Sequence, residues 1–408
     1  MIKKILHTSD WHIGRRLKNK ERNEEFQKFF TWLEEIIKSE EIDALLVAGD
    51  IFDNTTPTVK AQDIYYSFLS RIAKSNCRHV IIISGNHDSP AFLDAPKDLL
   101  KLFKIHVVGG ACENPADEVL ILNDEFNKPE LIVCAVPYLR ERDVRILRAD
   151  DADNPENSLI TGIKNHYEKV FAEAARLKLQ NSNIPVIAMG HLFARGGKIN
   201  NGDGVRSLYV GTAIEVGTDL FPDFLAYTAL GHLHSPQKIS RENIRYSGAP
   251  LVMDFGEFNQ KKAVNILEFD GENLIDIKKI PVPVFQRLER VKGNLDEIFY
   301  GIENLASSNE SIWLDIIYTG AESPGDLQEK IDEFIKNFSL IEVLSIRDES
   351  VRINEIFDQN EKFSQGLDDF SPLKIFEICL EEKNIPESQK KIFMPMYKEI
   401  LEEVISEE

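Results

Sequence analysis

The chain has 408 residues, 43% of them hydrophobic, so it can bury a sizeable core and has room for two or three domains. Four scattered cysteines without a CxxC spacing predict reduced thiols in a reducing compartment. No apolar run is long enough for a membrane span or a signal peptide, so we expect a soluble, cytoplasmic protein without a membrane partner. A formal net charge of −20 argues against a nucleic-acid partner unless basic residues cluster locally.

The first 110 residues alternate strand-like and helix-like segments. Continuous apolar runs predict strands, two of them buried on both faces, and apolar stripes at helical spacing predict the helices between them. The predicted strands are 2–9, 43–50 and 79–86, and the predicted helices are 21–39 and 58–75. Ser89 and Pro90 then predict the N-cap and first residue of another helix. This alternation is typical of α/β layers.

The rest of the chain continues this pattern and then changes at a Pro-Val-Pro break, 281–283. Further predicted elements are strands at 131–138, 185–191, 311–319 and 341–347, short β-like runs across 205–270, and helices near 158–179 and from Ser323. We expect a main domain over 1–280, a small α+β capping domain over 281–349, a linker over 350–370 and a helical segment over 371–408.

The last segment differs from the rest in pattern and in charge. Apolar pairs recur every four residues from Ile392 to Ile405, which predicts a wide apolar helix face. Residues 347–408 hold 16 acidic and 8 basic side chains. An acidic amphipathic segment of this kind predicts a protein-docking element, and packing back onto its own domain is the alternative.

Polar side chains that can bind metal follow five of the predicted strands, in the order DxH, GD, GNH, GH and GHxH. Each of them alone is typical of a turn or a hydrogen-bonded loop. Ligands gather at the carboxyl ends of strands in open α/β sheets, so the ordered set predicts one metal site. Its candidate ligands are Asp10, His12, Asp50, Asn86, His191, His232 and His234.

The spacing and chemistry of these residues carry further expectations. Asp10 and His12 are two positions apart, so on an extended strand end both would face the same way, and the same holds for His232 and His234. Imidazole and oxygen ligands without a thiolate favour manganese or iron. Two divalent ions roughly 3.5–4 Å apart can clamp the attacking and leaving oxygens of a phosphodiester.

The five motifs resemble those of the calcineurin-like metallophosphoesterases. The stretches TSDWHIG (8–14), AGDIFD (48–53), SGNHD (84–88) and GHLHSPQ (231–237) further resemble the bacterial branch of nuclease subunits that work with a coiled-coil ATPase in double-strand-break repair. The resemblance extends over essentially the whole chain. It implies an α/β two-sheet sandwich flanked by helices, with a DNA-binding capping domain and a helical tail that docks on the ATPase. It also implies a homodimer within a heterotetramer.

The activity implied by this resemblance is two-metal hydrolysis of DNA. It comprises single-strand endonuclease activity, and 3′–5′ double-strand exonuclease and hairpin or DNA-end processing with the ATPase, in repair, recombination and replication. A calcineurin-like phosphomonoesterase or cyclic-nucleotide phosphodiesterase is the alternative, although neither needs the separate unit and the apolar tail.

The resemblance also distributes roles among the candidate residues. Asp50 would bridge two divalent ions, for which manganese is the expected metal, with Asp10, His12 and His234 completing one site. Asn86, His191 and His232 would complete the other site. His87 would act as general acid or charge stabiliser at the leaving oxygen. Asp88 would either orient His87 or cap the helix that starts at Ser89, and Asp53 stands where archaeal and eukaryotic relatives usually have histidine, which leaves its role open.

Basic residues cluster next to the metal motifs and predict contacts to the DNA backbone, with an ordinary solvated face as the alternative for each cluster. The candidates are Arg15, Arg16, Lys18, Arg140, Arg142, Arg145, Arg195 and Lys198.

Overall fold

The structure is a computed structural model that describes residues 2–144, 155–197, 215–320 and 325–349, and near the C-terminus 376, 380, 390 and 393–397. The predicted linker at 350–370 lies outside these residues, as do Arg145, Lys198, Ser323 and most of the predicted helical segment at 371–408.

Strands and helices alternate along the first two thirds of the described chain. The strands are β1 Lys4–Thr8, β2 Ala44–Ala48, β3 His79–Ile83, β4 Ile105–Val108, β5 Val119–Asn123, β6 Pro129–Ala135, β7 Val186–His191, β8 Tyr227–Gly231, β9 Gln237–Ile239, β10 Arg241–Tyr246, β11 Ala263–Asp270, β12 Asn273–Pro281, β13 Arg287–Gly293, β14 Ile312–Tyr318 and β15 Ile341–Asp348. The helices are α1 Asn23–Ser39, α2 Val59–Ile72, α3 Pro90–Asp94, α4 Lys97–Lys101, α5 Glu141–Val144, α6 Pro155–Gln180, α7 Leu295–Ala306 and α8 Leu327–Ile335.

Two six-stranded sheets form the main body. One has the order β12-β11-β1-β2-β3-β4, in which β1 to β4 run parallel and β11 joins β1 antiparallel. The other has the order β5-β6-β7-β8-β10-β9, in which β6, β7, β8 and β10 run parallel. Parallel strands end at the same edge of a sheet, so the residues that follow β1, β2 and β3 lie side by side.

The two sheets pack face to face and carry helices on their outer faces. Their shared core joins residues such as Leu46 and Ile81 from the first sheet to Val133 and Ile187 from the second. On the outer face of the first sheet, α1 and α2 bury an aromatic cluster that includes Phe30. Burying each such side chain contributes roughly 1.5–3 kcal/mol. The α/β layers predicted from the strand pattern, and the two-sheet sandwich implied by the family resemblance, are therefore confirmed.

A third, three-stranded sheet follows in the order β13-β14-β15. Leu288 and Trp313 of this sheet pack with Leu17 and Phe255 of the main body in one small apolar cluster. Leu17 belongs to the loop that follows the first predicted metal motif, so the small sheet packs against the chain just after that motif.

The chain divides into two compact units: Met1–Ile317 with Asp326–Arg347, and Tyr318–Gly325 with Asp348–Glu408. In the second unit, the rings of Phe376 and Tyr397 stack with centroids 4.0 Å apart, and the described residues at 393–397 are helical. Among the described helices, none combines the length and the apolar character that crossing a membrane requires.

Several elements were not predicted from the sequence. Strands β4, β5, β12 and β13 and helix α7 are short or carry mixed polar patterns, and β12 ends at Pro281, the first residue of the predicted break. At the sheet edge, Leu274, Ile277 and Ile280 are the partly buried residues of β12 and the others are exposed, so its apolar signal is weak. Helix α8 starts at Leu327, and the predicted start at Ser323 lies outside the described residues.

Candidate metal centre

The seven candidate ligands lie together at the carboxyl ends of the central strands. Asp10 and His12 follow β1, Asp50 follows β2 and Asn86 follows β3, while the histidines come from the ends of β7 and β8 in the facing sheet. The chain can converge this closely because glycines precede the ligands. A Cβ atom at Gly85 would overlap the Asp50 carboxylate, and one at Gly231 would overlap the carbonyl of Ala48.

The ligand-bearing loops have left-handed backbone. The φ angles are 52° at Asp10, 47° at His12, 50° at Asp50 and 104° at His232. The extended strand end assumed for Asp10 and His12, and for His232 and His234, is not present, because β1 ends at Thr8 and β8 ends at Gly231. The side chains of Asp10 and His12 nevertheless converge on one group of potential ligand atoms. Such conformations cost about 1–3 kcal/mol each and are typical of functional sites.

Backbone hydrogen bonds hold the first two loops against each other. The amide of Asp10 donates to the carbonyl of Gly49, and the amide of His12 donates to the carbonyl of Asp50, both at 2.9 Å. These bonds fix the left-handed residues and aim side chains from two strands at one point.

One group of potential ligand atoms comes from Asp10, His12 and His234, whose atoms all lie within 4.8 Å of one another. The Nε2 atoms of His12 and His234 are 3.1 Å apart. Asp50 Oδ2 lies 3.5 Å from His12 Nε2. A divalent ion needs this kind of inward-facing set of nitrogen and oxygen atoms.

A second group adjoins the first through Asp50. His191 Nε2 lies 3.4 Å from Asp50 Oδ2 and 3.0 Å from Asn86 Oδ1. His232 Nδ1 lies 3.1 Å from the same Asn86 oxygen. Asp50 thus stands between the two groups, with one oxygen near both His12 and His191.

Protonation in the cluster favours metal ligation. His191 Nδ1 donates to the carbonyl of Ala48 at 2.9 Å, so in the neutral ring Nε2 presents a lone pair to oxygens that can only accept. Burial lowers the pKa of His12 far below its usual range and that of His232 to about 3, which keeps both imidazoles neutral. A divalent cation satisfies such converging lone pairs, so these residues fit a metal.

Asp50 stays ionised in this setting. Burial opposes its charge, but the His191 imidazole beside it, through its charge and its hydrogen bond, holds the pKa of Asp50 well below its usual range. Burial alone would lower the pKa of His191, and the Asp50 carboxylate instead raises it to about 9, so a metal ion binding at His191 would displace a proton from the ring. The site therefore supplies a stable carboxylate at its centre.

His87 lies beside the cluster and has its own set of contacts. Its amide donates to Asp50 Oδ1 at 2.9 Å, and its Nδ1 donates to the carbonyl of Asp53 at 2.8 Å. Its ring meets that of His12 edge-on, with centroids 4.8 Å apart. These contacts leave Nε2 as the ring atom available to a substrate.

Asp88 occupies neither of the two positions expected for it. Its buried carboxylate accepts three backbone amides, from Ile51 at 3.0 Å, Phe52 at 2.9 Å and Gly85 at 2.8 Å. The cap of α3 is Ser89, whose side chain accepts from the amide of Phe92. Asp88 therefore fastens the loop after β2 to the loop after β3.

Asp53 pairs with a neighbouring arginine. Its Oδ1 accepts from Arg15 at 3.0 Å and lies 3.8 Å from His12 Nδ1. Asp53, His12 and His87 also form a group of potential ligand atoms within 4.8 Å. Asp53, whose role the sequence left open, thus lies at the edge of the cluster.

Sequence reasoning missed three buried residues that support the ligands. Glu257 accepts from His234 Nδ1 at 3.3 Å, and Ser9 donates to Asp10 and also contacts Ser247. Burial opposes the charge of Glu257, but His234 and Lys262 hold its pKa well below the usual range. Ser9 adjoins the first motif in sequence, whereas Glu257 and Ser247 had no local signal.

The basic candidates differ in how available they are. Arg142 and Arg195 have strongly exposed side chains with long ion pairs to Asp143 and Glu215, at 3.6 and 3.8 Å. Lys18 is exposed in a turn.

The other described arginines are engaged locally. Arg15 holds Asp53, Arg16 donates to the carbonyl of Asn19, and Arg140 donates to the carbonyl of Asp88 at 2.8 Å. These contacts keep Arg15 and Arg140 next to the metal cluster.

Comparisons with known proteins agree with this geometry. The sequence profile of the family described as calcineurin-like phosphoesterase matches residues 3–264, and the profile described as type 5 capsule protein repressor C-terminal domain matches residues 284–384. The SbcD subunit of the nuclease SbcCD from Escherichia coli K12 is 32% identical over 392 residues, covering 95% of each chain. The SbcD subunit from Rhodobacter capsulatus is 34% identical over 312 residues, covering 74% of this chain and 76% of its own.

Among solved structures, a dimetal phosphatase from Danio rerio is similar with a TM-score of 0.39 and 12% identity. The match covers 69% of this chain and 99% of that one.

Proposed function

This chain belongs to the calcineurin-like phosphoesterase family of metal-dependent hydrolases, and we propose that it is a two-metal DNA nuclease subunit that works with an SbcC-type ATPase. Its substrates would be DNA phosphodiesters. The chain would act as a single-strand endonuclease and, together with the ATPase, as a 3′–5′ double-strand exonuclease that processes hairpins and DNA ends. The process served would be DNA repair, recombination and replication in the cytoplasm.

One observation carries the proposal: potential ligand atoms from five strand ends converge around Asp50. Asp10, His12 and His234 would hold one divalent ion, and Asn86, His191 and His232 the other, with Asp50 between them. Manganese is the proposed metal, and iron is the alternative that the same imidazole and oxygen donors without thiolate would also suit. The ions, when bound, would polarise the phosphate and supply a hydroxide nucleophile.

The charge of the proposed site suits a phosphate. Two divalent ions bring four positive charges, and Asp10, Asp50 and a hydroxide remove three. The neutral amide of Asn86 avoids a further negative charge. The remaining charge of about +1 would attract an anionic phosphodiester.

His87 would act at the leaving oxygen. Its Nδ1 is fixed on the Asp53 carbonyl, so Nε2 is the atom that would give or share a proton. Asp88 would act as a positioning residue, because its carboxylate fastens the loops that carry Asp50 and Asn86. The His87 ring would thus be oriented by the carbonyl of Asp53 rather than by Asp88.

The DNA backbone would be held by basic side chains around the centre. Arg142, Arg195 and Lys18 are exposed and would contact phosphates directly, and Arg15 and Arg140 would act closer to the metals. Arg16, Arg145 and Lys198 complete the proposed set.

The remaining parts would serve assembly. We propose residues 281–349 as a DNA-binding capping domain, 350–370 as a linker and 371–408 as the segment that docks on the ATPase. The proposed homodimer has a candidate contact in Leu99, Leu102 and Phe103, which lie close together in sequence in α4 and the turn after it and are strongly exposed for their type. The heterotetramer would contain two copies of each subunit.

An assay panel tests the proposed function. The purified chain with Mn²⁺ is offered single-stranded DNA, hairpin DNA and a small phosphomonoester. Cleavage of DNA with slow phosphomonoester turnover supports the nuclease, whereas rapid phosphomonoester turnover with intact DNA would favour the alternative phosphatase. The His87→Ala variant should lose cleavage, and the matched His106→Ala variant, altered in β4 away from the centre, should keep it.

A further inference from the structure

A buried acid–base network lies behind one of the candidate ligands. Glu257, in the short 3₁₀ turn Phe255–Glu257, has no solvent exposure and contacts His234 Nδ1 through Oε1 at 3.3 Å. Its Oε2 accepts from Lys262 Nζ at 2.6 Å and from the amide of Met253 at 3.0 Å. Lys262 is itself buried and also donates to the carbonyl of His234 at 3.2 Å.

The chemistry of this network fixes the tautomer of His234. An ionised carboxylate can only accept hydrogen bonds, so Nδ1 must carry the proton. The lone pair is then on Nε2, and Nε2 is the atom that lies 3.1 Å from His12 Nε2 inside the cluster. Lys262 and the Met253 amide occupy the other oxygen and keep the carboxylate from turning away.

We infer that Glu257 is a positioning residue that fixes His234 as an Nε2 ligand and thereby sets the affinity of one of the two metal positions. This inference rests on the proposed two-metal function. Outer partners of ligating histidines orient the ring and raise its basicity, and losing one typically weakens metal binding about 10–100-fold.

Two roles have to be separated, because the Glu257–Lys262 pair also stabilises the fold. Removing one member of a buried pair costs roughly 3–5 kcal/mol, whereas replacing both by apolar side chains is often neutral. Lys262→Met keeps the carboxylate on His234 but leaves it without its cation. The double variant Glu257→Leu with Lys262→Met removes the carboxylate together with the buried cation.

The experiment titrates Mn²⁺ into the metal-free full chain by calorimetry and measures unfolding by urea in parallel. We expect Lys262→Met to be less stable than the double variant and yet to bind two ions with affinities within a few-fold of wild type. The double variant should bind one ion as wild type does and the other about 10–100-fold more weakly. Metal affinity would then follow the carboxylate, and stability would follow the ion pair.

A matched control is available elsewhere in the chain. Glu118 is also fully buried and contacts a histidine, His166, at 2.9 Å, but that pair holds no candidate ligand. Glu118→Leu should lower stability without changing Mn²⁺ affinity. If the double variant does not fold, Glu257→Gln takes its place, since one amide oxygen cannot serve all three donors, and its weaker site should lose about tenfold in affinity.

If the folded Glu257 variants bind both Mn²⁺ ions with the same affinities as wild type, this inference is overturned and the proposed function still stands. A wild-type chain that binds no Mn²⁺ would overturn the proposed function and this inference together.

Discussion

Replacing Asp88 by asparagine tests whether this carboxylate braces the site or takes part in the reaction. One oxygen accepts the amides of Ile51 and Gly85, and the other accepts the amide of Phe52. An asparagine oxygen can keep the first pair, but its NH₂ group would then face the Phe52 amide, donor against donor. The change is nearly isosteric, so the loss falls on hydrogen bonding.

The cost follows from these three bonds. Burial raises the pKa of Asp88 to about 7, so the comparison is made at about pH 8, where this carboxylate is mostly ionised. A buried donor left without a partner costs about 1–3 kcal/mol, and hydrogen bonds to a charged acceptor contribute about 1.5–3 kcal/mol each, part of which a neutral oxygen retains. We therefore expect Asp88→Asn to lower the free energy of unfolding by about 2–4 kcal/mol. The matched change at the adjacent helix cap, Ser89→Ala, should cost only about 1 kcal/mol.

Urea unfolding of both variants with Mn²⁺ present checks the magnitude, and DNA cleavage is measured under conditions where each variant is folded. If Asp88 acts by hydrogen-bonding the two loops together, Asp88→Asn should lose stability, and cleavage should fall together with Mn²⁺ affinity, because the loops carrying Asp50 and Asn86 are no longer held in place. A variant as stable as wild type that binds Mn²⁺ normally but does not cleave would refute this reasoning and assign Asp88 to the chemistry.

Four further outcomes are expected. His87→Ala should reduce cleavage about 10²–10⁴-fold with unchanged Mn²⁺ stoichiometry in calorimetry, and a lost ion would instead make His87 a ligand. Burial lowers the pKa of His7 to about 3, below its unfolded value of 6.5, so its stabilising contribution is complete above pH 6.5 and declines as the pH falls toward 3. By pH 5 this loss reaches about 2 kcal/mol, and His7→Gln should remove that slope from urea unfolding curves measured between pH 5 and 7. Arg142→Gln and Arg195→Gln should each lower the salt dependence of DNA binding by about one unit of slope, whereas Arg176→Gln on α6 should not. Removing metal with a chelator should lower the free energy of unfolding by at least about 2.7 kcal/mol relative to Mn²⁺ at a hundredfold excess over its dissociation constant, and equal stability with and without Mn²⁺ would argue against a resident ion.

The sequence predicted α/β layers because its central strands are strongly patterned, and the resemblance to the calcineurin-like family implied the two-sheet sandwich. Apolar runs such as DALLVAGD and HVIIISGN must be buried on both faces, and parallel strands must end at one edge. Elements with one solvated face, such as β12, carry a weaker pattern and were not predicted. The α/β fold class therefore followed from the most strongly patterned strands.

Local sequence also determined which residues could bind metal, since the ligand types recur at strand ends in a fixed order. It could not determine how they are aimed. Asp10, His12, Asp50 and His232 adopt left-handed backbone that depends on hydrogen bonds between loops of different strands. An i and i+2 spacing has no fixed meaning once the strand has ended.

The parts of the site that only the tertiary structure decided are long-range contacts. Glu257 meets His234 across 23 positions of the chain, and Asp88 meets Ile51 across 37. A carboxylate next to a helix start in sequence has the same local pattern whether it caps that helix or braces a distant loop. The motif GNHD showed which chemical groups Asn86, His87 and Asp88 offer, and the packing of five strand ends decided which partner each of them has.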